Sequence, residues 1–147
     1  MQHFPMDNLT GPDWAKLKES LRSGHSLILQ QIDQCKTDRK SSAASEQFRV
    51  LEQIMLAHMS LQTSDIYKSL FNHLNRERLQ VKVLEYLEYD LKVLKIKLLG
   101  FIETPAKTFF ELSNDLMARV TVEKEYLFPL VDLLLTHSKR KIHVYEN

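Results

Sequence analysis

The chain has 147 residues, long enough for one domain to bury a core without disulfide or metal staples. Hydrophobic residues make up 44% and charged residues 27%, and 20 basic side chains stand against 19 acidic ones for a formal net charge of +1. That balance excludes a long-range field drawing the protein to nucleic acid or to an anionic membrane, and the single cysteine, Cys35, excludes an internal disulfide framework and any CxxC pair.

Three glycines and four prolines punctuate the chain. Thr10, Gly11, Pro12 and Asp13 read as a helix start, with a capping hydroxyl, a first-turn proline and an acid three residues after the cap. A first helix is therefore expected over residues 11–37. Its apolar positions Leu17, Leu21, Ile28, Ile32 and Cys35 keep the three-four spacing of one face, and His25 lies on that face. Gly24 costs a helix about 1 kcal/mol against alanine, which marks it as a place of close packing. Cys35, spaced with Ile28 and Ile32, reads as a buried structural thiol. The polar stretch 38–45 is a connection.

A second helix is expected over residues 46–74, with Leu51, Met55, Ile66 and Leu70 inward and His58 and Gln62 among them; Asn75 breaks it. The third, over 78–101, has an inner stripe of Leu84, Leu87, Leu91, Leu94, Leu98 and Phe101. Gly100 and the Glu103-Thr104-Pro105 turn end it and cap the fourth helix, over 105–138. That helix buries Phe109, Leu112, Leu116, Leu127, Leu130 and Leu134, and Pro129 should kink it or end its first part. The basic run His137 to Lys141 complements the final helix dipole. No segment alternates with a period of two, and no apolar run approaches the roughly 18 residues of a membrane span. The start, MQHFPMDNLT, lacks a secretory pattern, so the cytoplasm is the expected location. The expected fold is all-α, a single antiparallel up-down-up-down four-helix bundle.

Polar residues repeat on the core faces. A shift of 61 carries His58 onto Arg119, Gln62 onto Glu123 and His25 onto Tyr86, and it also superposes Leu51 on Leu112, Met55 on Leu116, Ile66 on Leu127 and Tyr67 on Phe128. Buried polar groups without partners cost a few kcal/mol and bare charges more, so His25, His58, Gln62, Tyr86, Asp90, Arg119 and Glu123 are expected to form one interior cluster. A di-iron centre wants about five or more neutral or anionic protein ligands, and this set has too few. A guanidinium has no lone pair to give a metal, so Arg119 reads as an electrostatic substitute for one, paired with Glu123 or Asp90. The alternative places Arg119 at the edge of the face, snorkelling to solvent and pairing with Glu123 at the surface. Asp90 falls nearer the core than Tyr86. His25, His58 and Glu123 are the residual candidates for a mononuclear metal site, although no metal is expected. No phosphate-cradling loop or activated nucleophile is visible, and no catalytic residue is expected.

The segment Arg119-Val-Thr-Val-Glu-Lys-Glu-Tyr-Leu-Phe-Pro-Leu-Val131 resembles the last-helix signature of hemerythrin-like domains, a ligand histidine followed by a ligand glutamate and a Leu-Phe-Pro ending. His25 and His58 match the first two histidines of that family, but Arg119, Gln62 and Tyr86 stand where it has ligands. The stretch Ala118-Arg119-Val-Thr-Val-Glu123 is similar to the Ala-Arg-Phe-x-Leu-Glu of the Rsd/AlgQ family of bacterial regulators, with Tyr89-Asp90 at the matching distance. Ile66-Tyr67 is similar to the end of that family's second helix, although its Ala-Gly-His-Phe block is absent here. The Rsd/AlgQ resemblance implies a metal-free four-helix bundle that binds the primary sigma factor of RNA polymerase.

The expected function is thus a non-enzymatic bacterial regulator with a protein partner, an anti-sigma factor, with no cofactor and no direct contact with nucleic acid or membrane. The alternative is a degenerate hemerythrin-like domain that binds iron or oxygen. Oligomeric state and binding surface leave no mark in the sequence; Tyr67, Phe71, Phe110 and Tyr126 read as packed or half-buried aromatics, with a place at the rim of an interface as the alternative.

Overall fold

A computed structural model describes residues 13–74 and 78–136, and nearly all of them are helical. In chain order these are α1 (Trp14–Asp38), α2 (Ala44–Leu61), a π-helical turn (Gln62–Tyr67), α3 (Lys68–Leu74), α4 (Arg78–Glu103), α5 (Pro105–Val122) and a second π-turn (Glu123–Leu127), after which residues 128–136 remain helical. Because α2 runs through its π-turn into α3, and α5 through its own into residues 128–136, the described residues form four long helices. No strand occurs among the described residues, and no helix there is long and apolar enough to cross a membrane.

The first helix is capped by Asp13, whose side chain accepts from the Lys16 amide at 3.0 Å. The expected cap at Thr10 lies outside the described residues, as do Asn75 and the basic run from His137. Trp14, Leu21, His25, Ile28, Ile32 and Cys35 form the buried face of α1, with Leu17 half-buried beside them. Burial raises the thiol of Cys35 above its ordinary range, as suits an inert core cysteine. The Gln31 amide donates to the Gln47 carbonyl at 2.9 Å and so ties α1 to the first turn of α2.

Every residue of the α4 stripe from Leu84 to Phe101 is buried, as is every expected core position of the fourth helix. Together with α1 and α2 they close one apolar core. Phe48 meets Phe101 edge-on at 5.7 Å and Phe109 at 5.3 Å near one end of it. Thr104 departs from its expected role. Its hydroxyl makes no cap for α5 but donates back to the Gly100 carbonyl at 3.2 Å, satisfying the end of α4, and Pro105 alone starts the next helix.

Both π-turns begin one turn after a buried polar residue and occupy matching places in the repeat: Gln62 follows His58 and Glu123 follows Arg119 by four residues. Each turn takes in an extra residue, so side chains that a regular helix would rotate apart both face the core. Ile66 and Tyr67, neighbours in sequence, are 0% and 1% exposed. The second turn also explains Pro129, which neither ends the helix nor begins a new one. The Phe128 amide donates to Glu123 five residues back, and this wider turn loosens the backbone just ahead of a residue that has no amide hydrogen.

Candidate functional site

Gly24 and His25 occupy the middle of α1. A Cβ at position 24 would run into the His58 ring, whose Cε1 would lie 2.8 Å away, so glycine here lets that ring lie against the α1 backbone. The His25 ring stacks on Phe128 with centroids 5.4 Å apart and planes at 8°, and meets His58 at 5.2 Å. Two imidazoles are thus brought together, their planes inclined by 55°, by a missing side chain on one helix and an aromatic after a π-turn on another.

Glu123 is the hub. It is 1% exposed, and both of its carboxylate oxygens are engaged. Oε1 lies 2.6 Å from Nε2 of His25 and 3.2 Å from Nε2 of His58. Oε2 accepts from the Gln62 amide at 2.7 Å and from Nε of Arg119 at 2.6 Å. The Gln62 nitrogen also lies 2.7 Å from His58 Nε2, closer than Glu123 does. Its oxygen accepts from Arg119 Nη2 at 3.2 Å and from the Tyr67 hydroxyl at 3.3 Å, which fixes the amide orientation.

Arg119 is 4% exposed, which places it inside rather than at the edge of the helix face. Besides Glu123 and Gln62 it donates from Nη1 to the Leu87 carbonyl at 2.9 Å and to Asp90 Oδ2 at 3.0 Å, and from Nη2 to the Tyr67 hydroxyl. Asp90 is 40% exposed at its side chain and forms the outer edge of the cluster. His25, His58 and Gln62 are buried at its heart.

Two residues require correction. Tyr86 is not part of the cluster: it is 62% exposed, because the buried stripe of α4 runs through Leu87 and Leu91, and one residue of rotation, about 100°, turns Tyr86 outward. Tyr67, expected only to pack, brings its hydroxyl into the network instead. The signal for it was present, since the shift of 61 pairs Tyr67 with Phe128, and both approach the cluster from the far side of a π-turn.

The electrostatics follow from this geometry. Burial by itself would raise the Glu123 carboxyl, but hydrogen bonds from His25 and His58 and the charge of Arg119 overcome it and hold the group far below the usual carboxylate range. Burial likewise works against the Arg119 cation, and Tyr67, Glu123 and Asp90 more than offset it, leaving the guanidinium more basic than usual. Desolvation raises the Tyr67 phenol despite the nearby Arg119, so it stays a neutral hydroxyl.

His25, His58 and Glu123 each bring a donor atom within 4.8 Å of the others, a grouping that a single metal ion could use. The surroundings do not fit a two-metal centre, because Arg119 holds the other carboxylate oxygen and a guanidinium cannot ligate. Even one ion would meet an incomplete setting. Metal-bound histidines hold their second nitrogen in a hydrogen bond, whereas Nδ1 of both His25 and His58 has no partner among the described residues. The adjoining cavity, bordered by His58, Arg119, Glu123 and apolar residues including Met55 and Leu91, has a volume of about 10 Å³, room for about one water. Compared with protein-family models, with curated proteins and with solved structures, the chain finds no match in any of the three.

Proposed function

We propose that this protein is a non-enzymatic regulator, an antiparallel up-down-up-down bundle of the hemerythrin-like kind that works in the cytoplasm by binding another protein. The observation that carries this reading is Arg119: its guanidinium is satisfied on every side by groups of the chain itself, which supports a core half that is held by charge pairing and not by a ligand. What is left for function is the exterior. Tyr86, Tyr89, Ile96 and Leu99 on α4 are 62–69% exposed, more large apolar surface than a helix facing only water needs. The resemblance to Rsd/AlgQ regulators in Ala118–Glu123 and Tyr89-Asp90 supports the primary sigma factor as the partner, withheld from RNA polymerase.

A pull-down and calorimetric titration against the primary sigma factor and its C-terminal domain test this directly. Binding at micromolar protein or below is expected, weakened by Tyr89→Ala and Ile96→Ala. No binding at that concentration sinks the anti-sigma assignment. The alternative, a hemerythrin-like domain that carries iron or oxygen, predicts near-stoichiometric iron in the purified protein and an absorption band that is lost in His58→Ala; metal analysis decides between them.

A further inference from the structure

A guanidinium carries five N–H donors in a flat fork. Around Arg119 stand five acceptors from three of the four long helices: Glu123 Oε2, Gln62 Oε1, the Tyr67 hydroxyl, the Leu87 carbonyl and Asp90 Oδ2. Donors and acceptors match one to one. Two of the acceptors are carboxylates, so the site also balances charge, and Leu87 contributes a backbone carbonyl that a helix interior would ordinarily keep for its own ladder. An ammonium has three donors on a point charge, and a metal ion would draw the same oxygens closer, to about 2.0–2.6 Å in a compact shell.

We propose that this half of the cluster is a receptor shaped for a planar guanidinium group, of which the Arg119 side chain is the built-in occupant, and that it will take a free guanidinium ion when that side chain is cut away. The site is therefore a cation site of defined chemistry that excludes metal ions and ammonium groups alike. This inference concerns the interior only and stands whether or not the exterior binds a sigma factor.

The test uses the full chain and three proteins: the wild type, Arg119→Ala and Arg119→Lys. Thermal unfolding is followed by circular dichroism with and without low-millimolar guanidinium chloride, with sodium chloride and urea as controls. Both variants are expected to melt below the wild type. Guanidinium should raise the melting temperature of Arg119→Ala saturably by several degrees, with no rise from sodium chloride or urea and none in the wild type. If Arg119→Ala does not fold in plain buffer, recovery of its helical signal by millimolar guanidinium but not by sodium chloride gives the same answer. Lack of rescue in either form overturns the proposal, as does an Arg119→Lys protein that melts like the wild type. Cobalt(II) added to Arg119→Ala should neither raise its melting temperature nor give a visible ligand-field band. A rise or a band that persists when His25→Ala is added to that variant would show that the emptied receptor takes a metal ion and would overturn the exclusion of metals.

Discussion

The first helical hairpin and the second present the same register to the core and fill it with opposite chemistry. In the first, α1 and α2 bring His25, His58 and Gln62, groups that share protons and lone pairs over short distances. In the second, α4 and α5 bring Asp90, Arg119 and Glu123, charges that pair outright. Glu123 belongs to the second hairpin yet gives Oε1 to the histidines of the first and shares Oε2 between Gln62 of the first and Arg119 of the second. The comparison shows that a bundle can keep the geometry of a buried polar layer while changing what neutralises it, provided each donor finds an acceptor.

Removing the hub should damage both halves at once. Glu123→Ala leaves the Arg119 cation buried with only Asp90 to balance it and is expected to cost about 3–5 kcal/mol in urea unfolding. Arg119→Leu breaks only the charged half, since His25 still meets Glu123, and should cost about 3 kcal/mol. A change within about 0.5 kcal/mol would place Arg119 at the surface after all. Gly24→Ala probes the histidine half: an exposed helix would gain about 1 kcal/mol from this change, whereas collision with the His58 ring should make it a loss of about 1–3 kcal/mol. Tyr67→Phe removes one partner of Arg119 and Gln62, worth about 1 kcal/mol. Smallest of all, Tyr86→Ala should stay within about 0.5 kcal/mol, which separates it from the cluster.

The pH dependence divides along the same line. Glu123 is held below its ordinary value of 4.5, so in that range the unfolded chain binds more protons than the folded one. Its contribution to stability is complete above about pH 4.5 and drains away on acidification, and Glu123→Gln should flatten this acid limb. Tyr67 is raised above its ordinary 10.0, so its contribution is present below that pH and is lost as the solution becomes more alkaline. Tyr67→Phe should flatten the alkaline limb. Chemical unfolding across pH reads both.

Much of this architecture is legible in the order of residues. The apolar stripes of all four helices, the connection after α1 and the start at Pro105 follow from the spacing of leucines and the placing of proline, because a 3.6-residue period leaves few other ways to bury those side chains. The polar cluster was legible through the shift of 61, which names His25, His58, Gln62, Arg119 and Glu123 by register alone. Tyr86 shows where that signal fails: the shift places it opposite His25, but the leucine stripe of α4 settles its rotation and sends it to solvent.

What the sequence by itself determined is the number of helices, their inner faces and the presence of polar groups that must satisfy one another. Only the tertiary structure decided which of those groups meet. The two π-turns shift the helical phase by one residue at Gln62 and Glu123, and contacts between helices stabilise that shift. That shift brings Tyr67 to the guanidinium and Phe128 to His25. The burial of Arg119 was decided in the same way: a guanidinium leaves water only where its five donors find acceptors, and here they come from three separate helices.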